Sequence, residues 1–132
     1  MIEEQYVSLD TAKLLKEAGF DVPCTSQYTE GMVVWNVEYP YNFNQDDFGY
    51  SRPTQALAAR WLREVHGIHV APNIFMDSAN DADGNIVDEW TFWSFDLFDN
   101  SGRIIKESDN RYDTYEEAFE AGLKHSLELI KK

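Results

Sequence analysis

The sequence predicts an α+β fold: an antiparallel sheet of about four strands with three helices, in the order α-β-α-β-β-β-α. Three observations carry this reading. Three segments repeat apolar residues at helical spacing and end in capping signals. Four others are β-branched or aromatic, and turn residues separate them. The chain has 132 residues, 43% of them hydrophobic, which suits one domain over 1–132 with a core that needs no metal or disulfide staple. That content is too apolar for a disordered chain, even at a net charge of −13.

The first helix is expected over 9–18. Ser8 can cap it by accepting from an unpaired backbone N–H of the first turn. Ala12, Leu15 and Ala18, with Leu14 beside them, form a narrow apolar stripe, and Gly19 followed by Phe20 is a stop signal. A strand over 32–39 alternates, with Val33, Trp35, Val37 and Tyr39 on one side. The second helix is expected over 53–66. Pro53 suits a first turn, where its missing N–H costs nothing. Leu57, Ala58, Trp61, Leu62 and Val65 form its buried face, with Arg60, Arg63 and Glu64 wet. Gly67 and Ile68 repeat the stop signal.

Pro72 interrupts a strand over 69–76 and marks it as an edge or a bulge. The segment 77–89 carries Asp83-Gly84 and reads as a long hairpin tip. A strand over 90–98 points Trp90 and Phe92 one way and Trp93, Phe95 and Leu97 the other. Asp99-Asn100-Ser101-Gly102 is a hairpin turn into a strand over 103–107. The third helix, 115–130, opens with a capping box of Thr114 and Glu117. Glu116, Glu117 and Glu120 complement its positive end, and Lys124, Lys131 and Lys132 lie towards its negative end. Ala118, Phe119, Leu123, Leu127 and Ile130 recur at helical spacing. The last three strands should form a meander, with the helices on one face of the sheet.

Cys24 is the single cysteine, so no disulfide forms within the chain. The acidic start lacks the apolar run of a secretory signal. No stretch approaches the roughly 20 apolar residues of a membrane helix, and the expected location is cytoplasmic. Nucleic-acid backbones and anionic membranes attract basic surfaces, so neither is an expected direct partner.

His66 and His69 lie near Glu64, but one ends a helix and the other begins a strand, so their side chains should diverge. His125 has no evident partner. No metal and no cofactor is expected. The Asp81–Asn85 run resembles a calcium loop, yet Ala79 and Trp90 would occupy its first and twelfth positions, where carboxylates are needed. Cys24 lacks a neighbouring base that would make it a nucleophile. Carboxylates are abundant, so a small enzyme with a carboxylate-based site is the alternative reading.

Three features point to binding. The connection 40–50 mixes aromatic rings, amides and carboxylates, which makes Tyr41, Phe43, Asp46, Asp47, Phe48 and Tyr50 candidate contact residues. The competing reading has these rings closing the core. Lys and Arg are absent from 18–51 and from 65–102, and the second gap holds Asp77, Asp81, Asp83, Asp88, Glu89, Asp96 and Asp99. Such a surface can meet a basic partner, mimic DNA phosphates, or simply keep the protein soluble. Finally, a strand aromatic on both faces leaves one face for a homodimer through Trp90, Phe92 and Trp93. The first helix or the segment near Tyr28 could cover it instead.

Tyr6-Val-Ser-Leu-Asp-Thr-Ala-Lys-Leu-Leu-Lys-Glu-Ala-Gly-Phe-Asp21, Tyr50-Ser-Arg-Pro-Thr-Gln55 leading to Trp61-Leu-Arg-Glu-Val-His66, and Tyr112-Asp-Thr-Tyr-Glu-Glu-Ala118 follow one another in order. With these segments the chain resembles a family of small uncharacterised proteins of gut bacteria and their phages and prophages. The resemblance implies a setting, that of a phage-borne or mobile-element accessory protein; it does not imply a reaction, and it supplies no catalytic residues to carry over. The expectation is a non-enzymatic protein that acts by binding another protein, with the small enzyme and a structural homodimer module as alternatives.

Overall fold

A computed structural model describes residues 2–131. Helix α1 spans Leu9–Glu17, and Ser8 Oγ accepts from the Thr11 N–H at 3.3 Å. Helix α2 spans Gln55–Trp61 and starts later than expected. Its cap is Thr54, whose hydroxyl oxygen accepts from the Leu57 N–H at 3.1 Å. Pro53 lies before the cap, and its carbonyl accepts from Val7 N–H. The hydroxyl satisfies an otherwise orphaned donor, whereas proline merely tolerates a first turn. A π-helical turn, Leu62–His66, follows α2. The wider turn rotates Val65 off the buried stripe, and it is 59% exposed instead of buried. Helix α3, Tyr115–Ile130, has the expected bounds, with the Thr114 hydroxyl accepting from Glu117 N–H at 3.1 Å.

Among the described residues the strands number six, in two antiparallel sheets, where the sequence reading had about four in one. The first sheet has the order β2-β1-β3, from β1 (Ser26–Thr29), β2 (Met32–Trp35) and β3 (Tyr50–Ser51). A two-residue turn, Glu30-Gly31, folds β2 back onto β1; their φ values are 51° and 77°. Positive φ at both central residues is the type I′ geometry, whose twist matches paired strands. The expected strand over 32–39 stops at Trp35. Asn36 still donates to Thr25 O, and the chain then leaves to bridge Tyr41 with Cys24.

The second sheet has the order β4-β5-β6, from β4 (His69–Asn80), β5 (Ile86–Phe98) and β6 (Ile104–Glu107). This is the expected meander, but its first hairpin is longer than predicted. Most of 77–89 is strand, and the tip is 81–85, where Asp81 Oδ1 accepts from the N–H of Asp83 and of Asn85. Trp93 exchanges both backbone hydrogen bonds with Tyr112 on the β6 side. Antiparallel alternation then turns Phe92, Ser94 and Asp96 towards β4, and Pro72, opposite Phe95, has its ring nitrogen on the free outer edge. No ladder bond is lost, which is why proline is tolerated there. At the β5–β6 turn, Asp99 Oδ1 accepts from Ser101 Oγ and from the N–H of Ser101 and Arg103. These donors hold its carboxyl below the usual carboxylate range.

The core joins α1, α2 and α3 through Leu15, Phe20, Trp61, Leu62, Leu123 and Leu127, all buried. A second cluster of Ile68, Phe95 and Leu97 lies between α3 and the β4–β5 root. At their closest approach stands Gly122: a Cβ there would fall 2.5 Å from Val70 Cγ1 and 3.3 Å from the Phe95 ring. α3 therefore covers the root of the hairpin and leaves its far end bare.

Candidate functional site

The connection 40–50 is anchored to the body of the fold. Phe43 sits in a short 3-10 turn, Phe43–Gln45, and is buried in the main core. Tyr41 packs edge-on against Phe43 at 5.2 Å, and its hydroxyl donates to Asp46 Oδ1 at 3.0 Å. Lys16 Nζ on α1 donates to the carbonyls of Asp46 and Gly49, and the ammonium lies over the Tyr50 ring. Asn44 donates to Phe20 O and accepts from Ser51 N–H. Of the six candidate contacts, Phe43 and Tyr50 thus pack inward and Tyr41 and Asp46 bond to each other. Asp47 and Phe48 face solvent, Phe48 at 83% exposure.

The starts of α1 and α2 converge on Glu120 of α3. One of its carboxylate oxygens accepts from Ser8 N–H at 3.0 Å, from Ser8 Oγ at 2.8 Å and from the Thr11 hydroxyl. The other accepts from Gln55 Nε2 at 3.1 Å. The negative charge also faces the amino end of α1, where it is favoured. Beside it opens a cleft of about 1390 Å³ whose lining includes Tyr6, Trp35, Arg52, Gln55, Glu116 and Glu120. The Arg52 guanidinium is stacked among Tyr6, Trp35 and Tyr28, with centroid distances of 4.3, 5.2 and 5.5 Å. Among the described residues it has no carboxylate partner. Chemically these groups act as braces: Glu120 ties three helices together, and the rings hold the guanidinium flat.

The hairpin beyond Trp93 is different. Among the described residues β6 pairs only with 96–98, and Tyr112 with Trp93, so 74–80 and 86–92 form a ribbon of two strands. Ile74, Phe75, Met76, Ile86, Val87 and Trp90 in this arm are each 42–67% exposed. Ile74 and Met76 lie on the face shared with Trp93, and Phe75, Asp77, Trp90 and Phe92 lie on the other. Phe75 stacks on Phe92, and the Arg111 guanidinium lies over Phe92 at 4.1 Å. Arg111 also bonds Asp77 at 2.9 Å, which holds that carboxyl below its usual range. Trp93 packs edge-on against Tyr115. Of the three residues proposed for a homodimer, Trp93 and Phe92 thus have neighbours within the chain, and Trp90 is the most open. The arm carries Asp77, Asp81, Asp83, Asp88 and Glu89 and no Lys or Arg.

The remaining candidates are placed as follows. His66 packs against Trp61, while His69 Nε2 faces Asn100 Oδ1 at 2.8 Å, so the two do not converge. His125 lies against Phe95. Among the described residues no group of three His, Cys, Asp or Glu side chains could hold a metal ion. Cys24 is buried, and desolvation pushes its thiol up to about 11, partly opposed by the Ser51 hydroxyl. Among the described residues no helix is long and apolar enough to cross a membrane. The arm's projection is hidden in the sequence because its carboxylates read as loop; the signal for it is the β-rich Ile86-Val87 run before Trp90. Comparison of the chain with protein-family models, with curated proteins and with solved structures finds no match in any of the three.

Proposed function

We propose that this chain is a non-enzymatic accessory protein, associated with a phage or mobile element and acting in the cytoplasm, that works by binding another protein through the β4–β5 arm. One observation carries the reading: the arm exposes apolar side chains on both faces and, among the described residues, has no third strand. Isolated two-stranded ribbons are marginal in water and gain stability when a face is packed. Charge supports a basic partner. Five carboxylates frame the apolar strip, so a surface with Lys and Arg around an apolar centre complements it. A homodimer through Trp90, Phe92 and Trp93 would instead bring those five carboxylates against five more. The family resemblance supports the phage setting. Asp47 and Phe48 are the exposed part of a secondary contact.

The test is affinity capture from bacterial lysate at roughly 0.05 M and 0.5 M salt, which shortens the screening length several-fold. The bait proteins are the wild type, an arm variant (Met76→Ser with Trp90→Ser) and a loop variant (Asp47→Asn with Phe48→Ser). A protein held at low salt by the wild type and the loop variant, and lost with the arm variant and at high salt, is the expected result. Equal capture by the arm variant would place the contact elsewhere.

A further inference from the structure

The free edge of β2 presents a second, independent surface. In a two-residue hairpin, Thr29 and Met32 exchange hydrogen bonds, and the ladder alternates from there. Met32, Val34 and Asn36 thus bond inward to β1, consistent with the Asn36 N–H on Thr25 O. The N–H and C=O of Val33 and Trp35 point outward from the end of the β2-β1-β3 order, where among the described residues no strand of the sheet follows. All four β2 residues are 37–61% exposed.

The chain protects its long edge, that of β4. β4 carries Pro72 with its nitrogen on the open side, the charged Asp77 and a bulge at Ala79/Asn80. β2 has none of these devices: Gly31-Met-Val-Val-Trp-Asn-Val37 contains no charge and no proline. Outward N–H and C=O groups spaced along an extended strand are completed by another strand, so the occupant is a strand.

We infer that the occupant is β2 of a second copy, paired antiparallel about a two-fold axis at Val34. Val33 of each copy then lies opposite Trp35 of the other, four backbone hydrogen bonds close, and the two three-stranded sheets become one of six strands. Charge selects a copy over a charged peptide. Each chain carries a net −13 and repels its twin, but Gly31 to Val37 is a neutral stretch where two copies approach without opposing carboxylates, and it offers a charged peptide nothing to pair with. Glu30 and Glu38 oppose each other only at the ends of the ladder. A four-residue edge lies at the small end of specific interfaces, so the dimer is weak. Salt screens the repulsion between copies and tightens the dimer, the opposite of its effect on a basic partner of the arm.

Sedimentation equilibrium from roughly 1 μM to 1 mM protein, at low and high salt, is paired with amide exchange. The expected result is a monomer–dimer equilibrium that tightens several-fold with salt. Val33 and Trp35 amides gain protection as the concentration rises, while Met32 and Val34 are protected throughout. Val33→Pro removes an outward donor and no β1 bond, and Val34→Lys sets two like charges opposite each other on the axis. Each should weaken the dimer tenfold or more and leave the Met32 amide protected. A monomer at 1 mM, a dimer unchanged in both variants, or Val33 and Trp35 amides that exchange equally fast in monomer and dimer would overturn the inference.

Discussion

Replacing Gly122 by alanine should destabilise the protein, although alanine is the better helix former by about 1 kcal/mol in a helix interior. The added Cβ would sit 2.5 Å from Val70 Cγ1, with two Phe95 ring carbons at 3.3 Å. Carbon pairs prefer roughly 3.5–4.0 Å, so α3 and the sheet must part by about 1 Å or Val70 must turn. Val70 is β-branched and stiff at χ1, and Phe95 is fully buried, so neither yields cheaply. Overpacking of this kind costs about 1–3 kcal/mol, and two stiff neighbours place it near the upper end. The net loss is then about 1–2 kcal/mol. Urea unfolding reads it as a midpoint lowered by roughly 0.5–1 M at an unchanged slope. Adding Val70→Ala to Gly122→Ala should recover part of the loss relative to the two single effects, a coupling of roughly 0.5–3 kcal/mol between neighbours. A midpoint at or above that of the wild type in Gly122→Ala would refute the close docking of α3 on the hairpin root, and with it the account of why only the root is covered.

Glu120→Ala should cost about 1–2 kcal/mol, because it removes the shared acceptor of Ser8, Thr11 and Gln55 at a cleft that water can enter, with Glu120→Gln losing about half as much; a melting temperature unchanged in both would show that the carboxylate does not tie the helices. The Cys24 thiol should resist alkylation at pH 8 until the chain unfolds, since burial holds its pKa near 11 against an ordinary 9.0. Between pH 9 and 11 the unfolded chain releases a proton that the folded chain keeps, so stability is full below 9 and falls by about 2–3 kcal/mol as pH rises through 11. Cys24→Ser, which does not ionise, should flatten that fall in alkaline urea titrations. The Ser101 and Arg103 amide shifts should titrate with a midpoint below that of an ordinary aspartate, because their donors and the Ser101 hydroxyl hold the Asp99 carboxyl down. The turn is stabilised above that range and loosens as pH falls through the lowered value; a midpoint at the ordinary position would contradict the geometry.

Helices were the most legible part of the chain. The Thr114 cap and the Ala118-Leu123-Leu127 stripe fix α3 by local chemistry alone, and the bounds of 115–130 hold to the residue. α2 is blurred because Pro53 and Thr54 both carry start signals, and because a π turn has no signature in a 3.6-residue pattern, which puts Val65 on the apolar stripe although it is exposed. The first sheet was largely hidden. A type I′ turn favours Asn, Asp or Gly at its first central position, and this chain has Glu30 there. β3 is two residues long and is specified by the tertiary contacts of Tyr28 and Tyr50. At the candidate sites, the aromatic and acidic character of 40–50 was visible, but that Phe43 is core and Phe48 exposed depends on Asn44 and Lys16 reaching across the fold. The two-sided aromatic strand was read correctly as face and face. That its far end stands clear of α3 follows from the length of the hairpin, which acidic residues disguised as a loop.

The arm as partner surface is tested most directly by amide exchange along β4 and β5, in the free protein and in complex with the protein that the wild type captures. In the free protein, 94–98 should be protected close to the global limit and 86–92 should exchange much faster, as a two-stranded ribbon without cover does. On binding, protection should rise at 74–80 and 86–92, and 46–48 should change less. Unchanged exchange along the arm in a saturated complex, with new protection elsewhere, would contradict the account.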